Sequence, residues 1–190
     1  MTLGEGTMTM ARRRTAVRKS SFVAVAAAAV SAFLSSAGGT SAIAQTANPI
    51  EKHGDWTMYT ADSGGSRLCF VTSQPTDTKP DGARRDPIHF YVSAWPKEGV
   101  KSEVSIKLGY PVKRGSAPTV SVGPQAFKLF IKDDKAFVAD PTAELKLIEA
   151  MRKGGKVLVE AVSERGTATS DIYSLSGFDK AMQALSSKCT

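Results

Sequence analysis

The residue types that usually carry catalysis or bind metals are few in this chain, and they form no known motif. The two histidines, His53 and His89, lie far apart and have neither an H-E-x-x-H nor a cysteine pattern beside them. Gly154-Gly155-Lys156 follows a predicted helix and precedes a predicted strand, the reverse of the order in a phosphate-binding loop. No G-x-S-x-G nucleophile motif occurs. The sequence therefore predicts no catalytic residue, metal or cofactor, and a hydrolase of unrecognised type is the lesser alternative.

The only two cysteines are Cys69 and Cys189. In an oxidising compartment, a pair without C-x-x-C spacing favours a structural disulfide, which here would join an early strand to the end of the chain. The alternative is two buried free thiols that behave as small apolar side chains.

The beginning of the chain has the pattern of a cleavable export signal. An apolar run from Phe22 to Leu34 follows a basic segment, and small residues at Ala42 and Ala44 predict cleavage before Gln45. A retained anchor is the alternative, but the run of 13 residues is shorter than the roughly 20 that span a bilayer as a helix. The export route, general or twin-arginine, stays open. The basic residues are Arg12, Arg13, Arg14, Arg18 and Lys19.

Removal of the predicted leader, residues 1–44, changes the charge balance. The full chain has 25 Lys and Arg against 18 Asp and Glu, and the leader holds five of the former and one of the latter, so 20 and 17 remain, a formal +3. This small excess does not favour nucleic-acid binding. Residues 45–190 are enough for a single domain. No later apolar segment is long enough for a membrane span. The export signal predicts a periplasmic, envelope or secreted protein.

Beyond residue 55, short alternating runs are separated by clusters of Gly, Pro, Asp and Ser, which is typical of many short strands. Their spacing predicts a mainly β fold, an antiparallel sandwich or barrel, with Asp133-Asp134 and Arg165-Gly166 as hairpin turns. The predicted strands are Trp56 to Thr60, Arg67 to Ser73, Ile88 to Trp95, Glu103 to Leu108, Thr119 to Val122, Ala126 to Lys132, Ala136 to Ala139, Lys156 to Ser163 and Thr167 to Leu175.

Two segments break the strand pattern and predict helices. Asp140 and Pro141 are a typical helix start, and Gly154 a typical stop. Ser176 to Asp179 resembles a capping box for a second helix. The predicted core-facing residues are Leu145, Ile148 and Met151 in the first helix and Phe178, Ala181, Met182 and Leu185 in the second.

Local clusters of basic residues suggest a binding surface. The segment from Pro75 to Pro87 is nearly free of apolar residues and predicts a long mobile loop. If it lies beside the loop that begins at Tyr110, that end of the domain is the best binding candidate. Phe130, exposed between two lysines, extends the predicted surface, although a solvated face that protects strand edges would explain the same charges. The candidate residues are Arg84, Arg85, Tyr110, Lys113, Arg114, Lys128, Phe130 and Lys132.

The order and spacing of five segments, over Gly54 to Cys189, resemble the invasion-associated locus B family. The resemblance implies a secreted or envelope-associated immunoglobulin-like β-sandwich of bacteria, in a family named for members linked to the entry of pathogens into host cells. It implies no established catalytic residues. The segments are Gly54-Asp55-Trp56, R-L-C-F-V at Arg67 to Val71, S-I-K-L-G-Y-P at Ser105 to Pro111, E-L-K-L-I-E-A-M-R-K-G at Glu144 to Gly154, and Y-S-L-S-G-F at Tyr173 to Phe178.

The sequence thus favours an exported, non-enzymatic binding protein of the bacterial envelope. The alternative is a secreted or surface-exposed adhesion or invasion factor that contacts host cells. The expected partner is an envelope or host-surface protein or glycan, and we expect neither nucleic-acid binding nor a stable membrane span after cleavage of the signal.

Overall fold

The computed structural model describes residues 47–189. The predicted leader and its cleavage site, with Ala42, Ala44 and Gln45, lie outside the described residues. Export, cleavage and a single domain over residues 45–190 therefore stay predictions.

Eleven β-strands and two α-helices form the described chain. Every strand predicted from the sequence is present, and β1 and β4 are additional, because neither has the apolar alternation that marks the others. The strands are β1 Asn48–His53, β2 Trp56–Ser63, β3 Ser66–Ser73, β4 Asp77–Lys79, β5 His89–Trp95, β6 Val100–Lys107, β7 Thr119–Val122, β8 Gln125–Lys132, β9 Lys135–Val138, β10 Lys156–Val162 and β11 Ala168–Ser174; the helices are α1 Pro141–Lys153 and α2 Phe178–Lys188.

All strand pairs are antiparallel, and strand β8 connects two layers of the sheet. Its first half pairs with β7, as in Thr119 opposite Lys128, and its second half pairs with β9, as in Phe130 opposite Phe137. A strand that changes partners in this way turns the corner between two layers. The first layer contains β1, β2, β3, β5, β6 and β9, and the second contains β7, β10, β11 and β4.

The two layers pack face to face. Phe90 on β5 meets Tyr173 on β11 with ring centroids 5.5 Å apart, and the Trp56 indole Nε1 donates to the Ser174 carbonyl at 3.0 Å. The predicted mainly β antiparallel fold with two short helices is confirmed. The facing layers are consistent with a sandwich, and the immunoglobulin-like assignment stays a prediction.

Helix α1 begins as predicted but buries a different face. The Asp140 side chain accepts from the Thr142 amide at 2.9 Å, with Pro141 in the first turn. The prediction for Leu145 is wrong, since this side chain is 61% exposed while Leu147, Ile148 and Met151 are buried. Over three residues, an α-helix rotates about 60° less than a full turn. Leu145 lies two such steps before Met151, and the accumulated rotation turns its side chain away from the core.

Helix α2 buries its predicted face, but it has no capping box. Phe178, Ala181 and Leu185 are buried, whereas the helix begins after Gly177 without a side-chain cap. Gly177 is in the left-handed region, with φ of 84°, and a Cβ there would lie 2.1 Å from the His53 carbonyl oxygen. The close approach of this turn to β1 therefore requires glycine.

Substitution of Gly177 by alanine should destabilise the protein by about 2 kcal/mol or more, since the left-handed conformation costs about 1–2 kcal/mol and the added methyl meets backbone. Gly166 is a matched control, because its φ is 85° and nothing lies within 4 Å of a Cβ at that position. Urea denaturation of Gly177→Ala and Gly166→Ala measures the difference. Equal losses would show that the contact with His53 relaxes at no cost.

The segment from Pro75 to Pro87, predicted as a long mobile loop, is a loop only in part. Strand β4 lies within it and pairs with β11, with Thr78 opposite Asp171. The Thr76 amide also donates to the Ile172 carbonyl at 2.7 Å. Local polarity gave no sign of this pairing, because a short edge strand needs little apolar surface of its own.

The predicted disulfide is present. Cys69 on β3 is joined to Cys189, the residue that follows α2, with the Cα atoms 6.0 Å apart. The bridge connects the first layer to the end of the chain across a sequence separation of 120 residues.

Candidate binding face

The loop around Arg85 and the loop that begins at Tyr110 lie beside each other, which is the condition that the sequence analysis set for a binding site at this end of the domain. The Asp86 amide donates to the Gly109 carbonyl at 3.0 Å, and the Arg85 guanidinium carbon lies 5.5 Å from the centre of the Tyr110 ring. Arg84, Lys113 and Arg114 are exposed there. These contacts bring the two loops together, but they do not support a binding role for every residue predicted there.

Arg85 is a buried anchor, so its prediction as a surface residue is wrong. Its Nη1 donates to the two carboxylate oxygens of Asp171 at 2.7 and 2.9 Å, and its Nη2 donates to the Lys79 carbonyl at 2.6 Å. The side chains of Arg85 and Asp171 are only 5% and 0% exposed. The ion pair therefore fastens the segment around β4 to the inward side of β11.

The surroundings of this ion pair are polar and largely closed to water. Burial raises the pKa of the Asp171 carboxyl, and the Arg85 guanidinium offsets part of that rise. Burial and the Asp171 charge also raise the pKa of Tyr173. The Tyr110 and Thr169 hydroxyls share a hydrogen bond beside the pair. The buried Tyr173 hydroxyl has no hydrogen-bond partner among the described residues. The other polar groups of the cluster are bonded to each other, which fits a structural role.

The outward face of the first layer carries an unexpected aromatic row. The sheet register places Tyr91 opposite Ser105, Ser105 opposite Phe137, and Phe137 opposite Phe130. Phe130 and Phe137 stack with centroids 5.7 Å apart. We call Tyr91, Ser105, Phe137 and Phe130 the aromatic row. The outward face of an antiparallel sheet is usually polar, so aromatic residues on three of four adjacent strands are a departure from that pattern.

Two further aromatic side chains continue the aromatic row. Phe70 on β3 lies 5.8 Å from the Tyr91 ring, and Tyr59 on β2 stacks on Phe70 at 5.2 Å. Aromatic contacts thus extend from β2 to β5, and the small Ser105 separates them from the phenylalanine pair. Phe130, 44% exposed, is the most accessible of these rings.

A cationic row lies next to the aromatic row. Lys107 is opposite Lys135, and Lys135 is opposite Lys132; we call these three lysines the cationic row. His89 lies opposite Lys107 at the end of this row. The Lys135 ammonium lies 5.4 Å from the centre of the Tyr91 ring, which connects the two rows. Lys107 pairs with Asp134 at 3.6 Å. Within residues 47–189, neither Lys132 nor Lys135 has an acidic side chain at ion-pair distance.

The cationic row is not explained by sheet stability. Aromatic pairs across strands stabilise a sheet, whereas like charges directly opposite each other destabilise it. Three adjacent lysines on β6, β9 and β8 therefore oppose the pairing that Phe130 and Phe137 strengthen, and the Lys107–Asp134 ion pair offsets only the charge of Lys107. A face that retains this repulsion is suited to an anionic ligand.

We expect His89 to titrate below the usual pKa of 6.5, because burial and the Lys107 ammonium both disfavour its charged form. The Thr72 hydroxyl, 3.4 Å from Nδ1, and the Tyr91 ring are its other neighbours. The folded protein then binds fewer protons than the unfolded chain as the pH falls below 6.5, so His89 lowers stability there. Proton NMR, with His89→Gln for assignment, measures the titration; a midpoint at or above 6.5 would contradict this explanation.

The candidate residues from the sequence therefore separate into two places. Phe130 and Lys132 belong to the rows and Lys128 lies on the same strand, whereas Arg84, Tyr110, Lys113 and Arg114 lie around the buried anchor. Sequence reasoning missed Tyr91, Phe137, Lys107 and Lys135. Their alternation with core residues was visible, but their adjacency depends on the register.

The described chain contains no group of three or more side chains that could hold a metal ion. Within residues 47–189, neither helix has the length and apolarity needed to cross a bilayer.

These features define the class: a mainly β, disulfide-linked protein of two facing layers, with aromatic and cationic side chains in register on one outer face. The model of the invasion associated locus B protein family matches residues 56–186, and the chain belongs to this family.

A solved structure supports the fold. The crystal structure of invasion associated protein B from Bartonella henselae is similar to this chain, with a TM-score of 0.55 and 16% identity over 73% of this chain and 95% of that one. At this identity the likeness concerns the fold alone. No curated protein matches the chain.

Proposed function

We propose that this chain is exported and works as a non-enzymatic binding protein of the bacterial envelope, with the aromatic and cationic rows as its binding face. The observation that carries the proposal is the like-charged register of Lys107, Lys135 and Lys132 beside half-exposed aromatic rings. Membership of an invasion-associated family, which is not a known enzyme family, supports it. The disulfide supports export, because such bridges persist in oxidising compartments.

A second candidate is a secreted or surface-exposed factor that contacts host cells, and the description of the family favours it. Cell fractionation with protease treatment of intact cells distinguishes the two locations, and the intact mass of the purified protein tests cleavage before Gln45. Protection from protease inside the cell supports the envelope role. Cleavage on intact cells supports the second candidate, and retention in the cytoplasm contradicts both.

The Phe130→Ala variant should bind isolated envelope fractions at least about tenfold more weakly than the unaltered protein, because exposed aromatic anchors carry much of the energy of an interface. Cosedimentation over a range of protein concentrations measures this. Lys180→Glu, a change at an exposed position on α2, is the surface control and should bind normally. Full binding by Phe130→Ala and by Lys132→Glu would exclude the proposed face.

A further inference from the structure

We infer that the ligand of this face is a linear anionic polysaccharide that lies across strands β6, β9 and β8. This inference rests on the proposed function and names the chemistry of the ligand. Its basis is the combination of cationic side chains at regular spacing with partly exposed aromatic rings alongside them.

The spacing of the cationic row suits a polymer that carries repeated charges. Lys107, Lys135 and Lys132 lie on three neighbouring strands, so their backbones are about 4.8 Å apart from one strand to the next. Acidic polysaccharides present anionic groups at intervals of one or two sugar rings along an extended chain. Such a chain can meet successive lysines without folding, and its binding should weaken with salt.

The aromatic row complements the apolar faces of sugar rings. Phe130 is exposed and Tyr91 and Phe137 are half-buried, so they offer apolar surface at the level of the sheet. Ser105 separates Tyr91 from Phe137 in the register. A ligand with both apolar ring faces and charged groups can contact the two rows together.

Two other ligand classes fit this face less well. Strands β6 and β9 are hydrogen-bonded on both sides, so a peptide cannot add as a new strand at the centre of the face. A planar anionic membrane would also meet the carboxylates of Asp133 and Asp134, which are exposed at the tip between β8 and β9. Repulsion by these carboxylates grows with the area of an anionic surface, whereas a single chain needs to contact only the row of lysines.

The test is isothermal titration of the protein purified from its expressing cells. The probes are a galacturonate hexamer and a heparin hexasaccharide, with a neutral maltohexaose as control. We expect one or both acidic probes to bind, maltohexaose not to bind, and the affinity to fall as salt is raised. Tighter binding of the galacturonate hexamer would indicate a carboxylated ligand, and tighter binding of the heparin hexasaccharide would indicate a sulfated one. Either result supports the inference.

The Lys132→Gln/Lys135→Gln double variant should lose at least about tenfold in affinity for the acidic probe, because two charged contacts are removed from one row. Lys132→Arg keeps the charge and should retain binding, as should Lys180→Gln on α2. Circular dichroism melting of each variant checks folding, and the exposed Lys132→Gln single variant provides a second test should the double variant unfold.

The inference is overturned if neither acidic hexamer binds, or if the double variant binds them as well as the unaltered protein does. It is also overturned if phosphatidylglycerol vesicles, and not the hexamers, bind in a way that depends on Lys132. The envelope cosedimentation described above separates this failure from that of the proposed function. Loss of envelope binding by Phe130→Ala without any binding of acidic sugars would leave the face in place and reject only the ligand class.

Discussion

Substitution of Cys189 by serine is expected to lower the free energy of unfolding by about 4–5 kcal/mol, because the bridge to Cys69 removes much of the freedom of the unfolded chain. The closed loop is long, with the cysteines separated by 120 positions. Denaturant unfolding with and without reductant measures the loss. The variant should be insensitive to reductant and should match the reduced, unaltered protein. An unchanged midpoint, or two thiols that react in the native protein, would contradict a structural role.

Loss of this bridge should loosen the end of α2 and leave the sheet assembled. The start of the helix is held independently, because Phe178 is buried against Trp56 with ring centroids 4.8 Å apart. Amide exchange should therefore accelerate mainly in the last turn, near Lys188, while β5 and β6 keep their protection. Equal acceleration throughout the domain would show that the bridge sets the stability of the whole sheet.

Substitution of Arg85 by alanine should cost about 3–5 kcal/mol, because it leaves the Asp171 carboxylate buried without its partner. Arg84→Ala is the matched control: this neighbouring arginine is exposed, and its loss should change stability by less than about 0.5 kcal/mol. The Arg85→Ala/Asp171→Ala double variant should be more stable than Arg85→Ala alone, since it removes the unpaired charge. Urea unfolding of the three variants measures these differences.

The pH dependence of Arg85→Ala provides a further check. Burial already raises the pKa of Asp171 above its usual 3.8, and loss of the guanidinium raises it more. The folded variant then binds more protons than its unfolded chain, so its deficit should shrink as the pH falls from neutral toward 4. A deficit that is constant with pH would contradict a folded-state pKa of Asp171 that depends on Arg85.

The sequence predicted most of the elements because their signals are local. Alternation over Glu103 to Leu108 follows from the period of a strand, and Asp140 with Pro141 is a sufficient helix start. Leu145 and Gly177 show the limit of such signals. The exposed face of α1 and the glycine turn before α2 were decided by the surfaces on which the helices pack.

The candidate site was harder to predict than the fold. Arg85 has the composition of a loop arginine, and only the inward-facing Asp171, far along the chain, makes it an anchor. Phe130 and Lys132 were recognisable as an exposed pair on one strand. Their partners Phe137 and Lys135 follow from the predicted turn at Asp133-Asp134, because a two-residue turn sets the register of the hairpin.

The sequence by itself determined the family, the mainly β architecture with two helices and the residues available for a disulfide, because these depend on composition and on periodicity along the chain. Only the tertiary structure decided that Arg85 is buried and that Lys107, Lys135 and Lys132 form one row beside Tyr91, Phe137 and Phe130. Both outcomes depend on contacts between segments distant in sequence. Pairing of β9 with β6, and of β6 with β5, places Lys107 and Tyr91 beside the β8–β9 hairpin, and no local pattern encodes that long-range register.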